Sequence, residues 1–202
     1  MSETILTYPG HDHPAVFTQA ELDWHPWLAP PTEEDLTERQ HAGLVDKGRA
    51  KSPYFRLLAR DPDILAARTR TDKDIFYNAK DGLPRAEREL AAAATSRING
   101  CIFCASVHAR FATHYSGRGE DIDTLLAKGA QADLGGRWNA IVDASAALAA
   151  TPSQFSAAHV GALRAEGLDD DAVSDVIHGA AFFNWANRLM LSLGEPELPS
   201  AA

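Results

Sequence analysis

The stretch NGCIFCASVHARFA, Asn99 to Ala112, contains both cysteines of the chain, Cys101 and Cys104, and places His108 four residues after the second. On a helix with about 100° per residue, the three side chains fall within a stripe roughly 60° wide. A thiol reacts as its thiolate, which the exposed N–H groups of a helix start favour at Cys101. His108, one turn after Cys104, is placed to take the Cys104 proton. The spacing therefore predicts a helix beginning near Cys101 with thiol chemistry on one face.

Two other uses of the cysteine pair remain open at this point. Cys101, Cys104 and His108 supply three zinc ligands, with His114 or a distant histidine as a fourth. Zinc pairs of this type are normally followed by a second, well-separated pair, and the sequence has no second CxxC or HxxxH. Two buried cysteines acting as small apolar core residues are the other alternative.

Glu89 lies twelve residues before Cys101, on the helix that should precede the cysteine helix. A short Asn99–Gly100 connection would make the two helices neighbours, so that Glu89 could face the cysteines and complete a proton relay. From spacing alone, a solvated glutamate paired with Arg85 is favoured over that arrangement.

The composition excludes several classes of protein. The chain has 202 residues, of which 45% are hydrophobic and 23% charged, with a formal net charge of −9. This acidic balance argues against nucleic acid and anionic membranes as partners. No apolar run is long enough to span a bilayer, and the N-terminus does not resemble a secretory leader. We expect a cytoplasmic protein, in which a close cysteine pair is redox-active or metal-binding rather than a structural disulfide.

Periodicity and capping signals predict an all-α fold, with residues 1–31 as an N-terminal arm and 32–202 as one all-helical domain. The arm is rich in Pro, His and Trp, and is expected either to pack on its own subunit or to reach across a dimer. Thr32 should open the first helix and Gly194 should close the last. The predicted helices span residues 32–47, 53–60, 62–79, 84–97, 101–115, 119–128, 135–150, 153–166 and 169–194.

The segment from Glu89 to Ala112, ELAAAATSRINGCIFCASVHARFA, resembles the core of the AhpD-like alkylhydroperoxidases in the carboxymuconolactone decarboxylase superfamily. The ending AAFFNWANRLMLSLGEP, Ala180 to Pro196, and the arm segment LDWHPWLAPP are similar to the peroxidase-related subgroup. The chain departs from the best-known members between its cysteines, where it has Ile102 and Phe103 instead of a histidine. This apolar filling opposes thiolate formation.

The resemblance implies an AhpD-like helical fold assembled into an intertwined homo-oligomer, a dimer, trimer or hexamer. It implies reduction of organic hydroperoxides, in which Cys104 attacks the peroxide and Cys101 resolves the product as a disulfide. His108 and Glu89 match the proton relay. No metal or organic cofactor is implied, and the dithiol that reduces the disulfide is not identified by the sequence.

Three further functions stay open beside the peroxidase. One is thiol–disulfide exchange, and another is a decarboxylase-like reaction of the same superfamily, which would not need the cysteines. The third is a non-enzymatic oligomer that is stabilised by zinc or senses redox state. Asn184, Asn187 and Arg188 on the last helix match an FN-x-x-NR pattern of the subgroup, and we expect them to support an interface or helix packing.

Overall fold

Helices make up most of the chain, which a computed structural model describes over residues 5–78 and 80–199. The remaining residues, which include the expected end of the third helix and the ends of the predicted arm and domain, lie outside the described part. The α-helices there are α1 Glu38–Leu44, α2 Pro53–Leu58, α3 Pro62–Tyr77, α4 Arg85–Ile98, α5 Ile102–Ser116, α6 Gly119–Lys128, α7 Gly136–Ala149, α8 Ala157–Ala165 and α9 Asp170–Leu193. Short 3-10 turns cover Lys47–Lys51 and Gly129–Gln131.

Helix α4 lies at the centre of the fold and packs against α5, α7 and α9. Its four consecutive alanines, Ala91 to Ala94, are all fully buried. Alanine gives a helix high intrinsic stability and no long side chain, so neighbouring helices can approach α4 from several sides. This position fixes Glu89, one turn earlier on the same helix, inside the protein.

The connection between α4 and α5 confirms the turn predicted at Asn99–Gly100. Gly100 has φ of +80°, a left-handed conformation that glycine adopts without the steric cost of a side chain. Cys101 follows as the N-cap of α5, so the helix begins at Ile102, one residue later than expected. Cys104 consequently lies in the first turn of α5, where backbone N–H groups are not used by the helix itself.

A two-stranded antiparallel sheet corrects the expectation of a chain with helices alone. Strand β1, Asp23–Pro26, pairs with β2, Gly194–Glu197. Gly194 therefore belongs to a strand rather than closing α9. It is extended, and a side chain there would collide with the carbonyl oxygen of His25. Neither short strand has a β pattern of its own, and each exists because the other lies beside it.

The first helix differs most from its predicted bounds. Thr37, rather than Thr32, caps α1, and it forms a reciprocal capping box with Gln40. The helix ends at Leu44, and Asp46 then caps the 3-10 turn that follows. Among the described residues, every helix is too short or too polar to cross a membrane.

Candidate active site

A partly open cavity of about 730 Å³ lies between β1, α2, α3, α5 and α9. Cys104 and His108 line this cavity, whereas Cys101 instead lines a separate pocket of about 50 Å³. Most of the large cavity's wall is apolar or aromatic. Its aromatic side chains include Trp24, Tyr54, Phe55, Phe76, Phe103 and Phe183.

Glu89 and His108 form a buried pair in the wall of the cavity. The Glu89 side chain is 1% exposed, and its two oxygens lie 2.6 Å from His108 Nδ1 and 2.6 Å from Arg85 Nε. The expectation of a solvated glutamate is wrong, because Glu89 is buried in the central helix. Its pairing with Arg85 is present, and the same carboxylate also contacts His108 on the cysteine helix. A carboxylate on Nδ1 orients the imidazole and leaves Nε2 as the nitrogen that can exchange a proton.

Aromatic rings fix the plane of the His108 imidazole. Phe76 stacks on it with ring centroids 5.2 Å apart, and Phe183 packs edge-on at 4.1 Å. The ring is therefore held from two sides as well as by its bond to Glu89, a degree of preorganisation that proton transfer requires.

Cys101 and Cys104 are both free and buried, but their thiols differ in acidity. A hydrogen bond from the Cys101 thiol lowers the pKa of the Cys104 thiol below its ordinary value, against the opposing effect of burial. The His108 charge acts in the same direction. That hydrogen bond, together with burial, raises the pKa of Cys101 well above its ordinary value. Cys104 is therefore the more acidic thiol of the pair, and Cys101 is the less acidic one.

Asn187 of α9 is a hydrogen-bond donor of the site. From the sequence alone, we expected this residue to support helix packing or an interface. Its fully buried amide accepts a bond of 3.0 Å from Asn99 and donates one of 3.0 Å to Ser96, so it does join α9 to α4. Hydrogen bonding from this amide also lowers the pKa of Cys104. The FN-x-x-NR pattern was the available signal, but the proximity to the cysteines depends on how the helices cross.

Arg68 of α3 is a second site residue that sequence reasoning missed. Its residue surface is 9% exposed, and its charge lowers the pKa of Cys104. The guanidinium carbon lies 5.4 to 5.8 Å from the ring centroids of Tyr54, Phe55 and Phe182. Within residues 5–78 and 80–199, its Nε and Nη1 atoms are buried without a hydrogen-bond partner. An arginine 36 positions before Cys104 gave no local signal of this placement.

No cluster of three or more His, Cys, Asp or Glu side chains is positioned to hold a metal ion in the part of the chain that the structure describes. His108 Nδ1 is engaged by Glu89, and Cys101 and Cys104 line different pockets. The arrangement is suited to proton transfer and thiol chemistry at Cys104.

Comparison with known proteins finds one matching family model and several solved structures with a similar fold. Residues 62–147 match the carboxymuconolactone decarboxylase family. An uncharacterised peroxidase-related protein from Ralstonia eutropha JMP134, described as an alkylhydroperoxidase AhpD core, is 22% identical with a TM-score of 0.70, over 89% of this chain and 94% of its own. A peroxidase-related protein from Silicibacter sp. TM1040 is 22% identical with a TM-score of 0.67, over 95% of each chain.

The debrominase Bmp8 has the same kind of fold. It is 17% identical with a TM-score of 0.65, over 81% of this chain and 88% of its own. Among curated proteins, none matches this chain significantly. At these identities the solved structures establish a shared fold, and the family match over residues 62–147 supports the resemblance seen in the sequence.

Proposed function

We propose that the chain is an AhpD-like member of the carboxymuconolactone decarboxylase superfamily and that it is a thiol peroxidase that reduces organic hydroperoxides. One observation carries the proposal. Of the two cysteines, it is Cys104, the one with the lowered pKa, that lines the large cavity beside the His108–Glu89 pair. A nucleophile, a base and a substrate-sized space thus meet at one point.

In the first step His108, oriented by Glu89, takes the proton of Cys104. The thiolate attacks the terminal oxygen of the hydroperoxide, so that a sulfur–oxygen bond forms while the oxygen–oxygen bond breaks. The leaving alkoxide takes the proton held by His108 and departs as an alcohol. Cys104 is then a sulfenic acid, because its sulfur has given up the two electrons that reduced the peroxide.

In the second step Cys101 resolves the sulfenic acid. Its sulfur attacks the sulfur of Cys104, a disulfide forms, and the hydroxyl group leaves as water with the Cys101 proton. The high pKa of Cys101 suits this order, because Cys101 stays protonated while Cys104 reacts. An external dithiol then reduces the disulfide to two thiols and becomes a disulfide itself.

The size of the cavity favours an organic hydroperoxide over hydrogen peroxide. A volume of about 730 Å³ lies within the range of sites that bind small organic molecules. Hydrogen peroxide would gain nothing from the aromatic wall, whereas an apolar substituent would be removed from water there.

We place the reaction in the cytoplasm, where reducing conditions keep the cysteine pair available. We further propose a homo-oligomer. Several large apolar side chains are exposed near the cavity, and covering them in an assembly would remove apolar surface from water. They include Tyr77, 67% exposed, Tyr115, 48%, and Phe111, 40%. Arg85 lies 4.4 Å from the Tyr77 ring centroid and 5.0 Å from that of Tyr115.

The proposal is tested by peroxide consumption with dithiothreitol as the reductant. Wild-type protein should consume cumene hydroperoxide in a cycle that Cys104→Ser abolishes. Cys101→Ser should react once and then accumulate a sulfenic acid that dimedone traps. Turnover that is unchanged in Cys104→Ser would refute the mechanism. Wild-type protein that exchanges disulfides but does not reduce peroxide would favour thiol–disulfide exchange.

A further inference from the structure

We propose that the preferred substrate carries an anionic group, such as a carboxylate, on an apolar body, and that Arg68 binds this group inside the cavity. The inference rests on the proposed peroxidase function for the identity of the reacting group. It adds a class of substrate and a residue that selects it. The anion takes no part in bond breaking, and the peroxide reacts at Cys104 as described above.

The surroundings of Arg68 are those of an anion receptor. Its guanidinium lies among the rings of Tyr54, Phe55 and Phe182, which contact a cation favourably. Such contacts leave the N–H donors of the guanidinium unused, and Nε and Nη1 have no partner among the described residues. A buried charge of this kind is stable only when an opposite charge completes it.

The other arginines of the cavity already have partners. Arg49 lies 2.8 Å from Asp72, and both of these side chains are largely buried. Arg85 lies 2.6 Å from Glu89, which it shares with His108. Asp23 also lines the cavity, but it is exposed to solvent, and none of the ion pairs among the described residues joins it to Arg68. Among the three arginines that line the cavity, Arg68 is therefore the one without an ion-pair partner in the described residues.

Two more unpartnered donors come from side chains that line the same cavity. Trp24 Nε1 and Tyr54 Oη are buried without a hydrogen-bond partner in the described residues. Burial raises the pKa of Tyr54 to about 12, so its hydroxyl is protonated and can donate. A tryptophan N–H and an arginine only donate hydrogen bonds. Arg68, Trp24 and Tyr54 thus bring buried donors, unpartnered among the described residues, to the wall of the cavity, as expected of a site for an acceptor-rich anion.

The position of Arg68 relative to Cys104 is compatible with catalysis. Arg68 and Cys104 line the same cavity, so a group bound to Arg68 shares that space with the reacting sulfur. The apolar body of the substrate would pack on the aromatic wall. Binding energy at Arg68 would then orient the peroxide toward Cys104 without touching the reacting atoms.

The test compares para-carboxylated cumene hydroperoxide with its methyl ester, which has the same peroxide and the same ring. Wild-type protein should have a kcat/KM about 10- to 100-fold higher for the acid, the range expected of one charge-assisted hydrogen bond. Arg68→Met should lower both values, because the Cys104 thiolate loses a nearby cation, and should bring their ratio close to one. Arg68→Lys should restore part of the preference.

The control is the double variant Arg49→Met with Asp72→Asn, which removes a paired arginine from the same cavity without changing its net charge. It should keep the preference for the acid. An equal kcat/KM for acid and ester in wild-type protein, or a preference that survives in Arg68→Met of native helicity, would overturn the proposal.

A binding experiment separates this inference from the peroxidase function. Calorimetry with para-isopropylbenzoate needs no turnover, and affinity should fall at least about tenfold from wild type to Arg68→Met. Equal binding by both proteins, or binding by neither, would contradict the anion site. If wild-type protein reduces neither peroxide, the peroxidase function fails, and calorimetry still decides whether Arg68 binds an anion.

Discussion

Replacing Glu89 with glutamine tests the proton relay with almost no change in shape. The carboxylate accepts from Arg85 Nε at 2.6 Å and from His108 Nδ1 at 2.6 Å, and its side chain is 1% exposed. An amide has one oxygen and can satisfy only one of these donors, while its NH₂ group faces the other. Losing one hydrogen bond between charged groups should lower the free energy of unfolding by about 1.5–3 kcal/mol.

The effect of Glu89→Gln on activity should be larger than its effect on stability. If the amide NH₂ donates to His108 Nδ1, the imidazole proton moves to Nε2, and the nitrogen facing the cavity can no longer act as a base. We expect kcat/KM for cumene hydroperoxide to fall about 100- to 1000-fold, as for the loss of a general base. Stopped-flow measurement of Cys104 oxidation gives this rate directly.

Glu87 provides a matched control on the same helix. Its two oxygens accept from Arg137 at 2.7 and 2.8 Å, and it does not line the cavity. Glu87→Gln should lower thermal stability to a similar extent and leave kcat/KM within about twofold of wild type, because it breaks a comparable ion pair away from the reacting groups. Equal losses of activity in the two variants would refute the relay and assign Glu89 a structural role.

Three further changes test separate parts of the account. Asn187→Ala removes a donor that lowers the pKa of Cys104, so the pH at which the thiol reacts half-maximally should rise. In a stopped-flow pH profile, the rate of Cys104 oxidation should fall at pH 7 and recover at alkaline pH. Val107→Trp should fill part of the cavity, so that kcat/KM for cumene hydroperoxide falls at least about tenfold while that for hydrogen peroxide changes little; equal losses would contradict the assignment of the cavity. Gly100→Ala should lower the free energy of unfolding by about 1–2 kcal/mol in chemical denaturation, because φ is +80° there, whereas Gly161→Ala, inside α8 with open space around it, should not destabilise the protein.

The cysteine helix could be predicted from sequence because its signals are local. The turn at Gly100, the spacing of Cys101, Cys104 and His108, and the position of Glu89 one short connection away all depend on helix geometry. The structure was required to show that Glu89 is buried rather than solvated, and that it binds Arg85 and His108 together. The spacing along a helix predicts one partner for Glu89, Arg85. It does not reveal that the second carboxylate oxygen binds His108 on the next helix.

The remainder of the site depends on contacts between distant segments. Arg68 and Asn187 reach the cysteines from α3 and α9, and no short-range pattern brings these helices together at Cys104. The sheet is missed for the same reason, since the segment GEPE, Gly194 to Glu197, becomes a strand only where Asp23–Pro26 lies against it. Local capping also misled, because Thr32 precedes an acidic segment but Thr37 has Gln40 at the position that completes a capping box.

The most direct test of the account is a single-turnover thiol count on fully reduced protein. One equivalent of cumene hydroperoxide is added, and free thiols and intact mass are followed in time for wild type, Cys101→Ser and Cys104→Ser. The account predicts rapid loss of both thiols in wild type without added oxygen mass, a sulfenic acid in Cys101→Ser, and no fast reaction in Cys104→Ser. Thiols that survive excess peroxide in wild type, or a sulfenic acid that forms rapidly on Cys101 in Cys104→Ser, would contradict it.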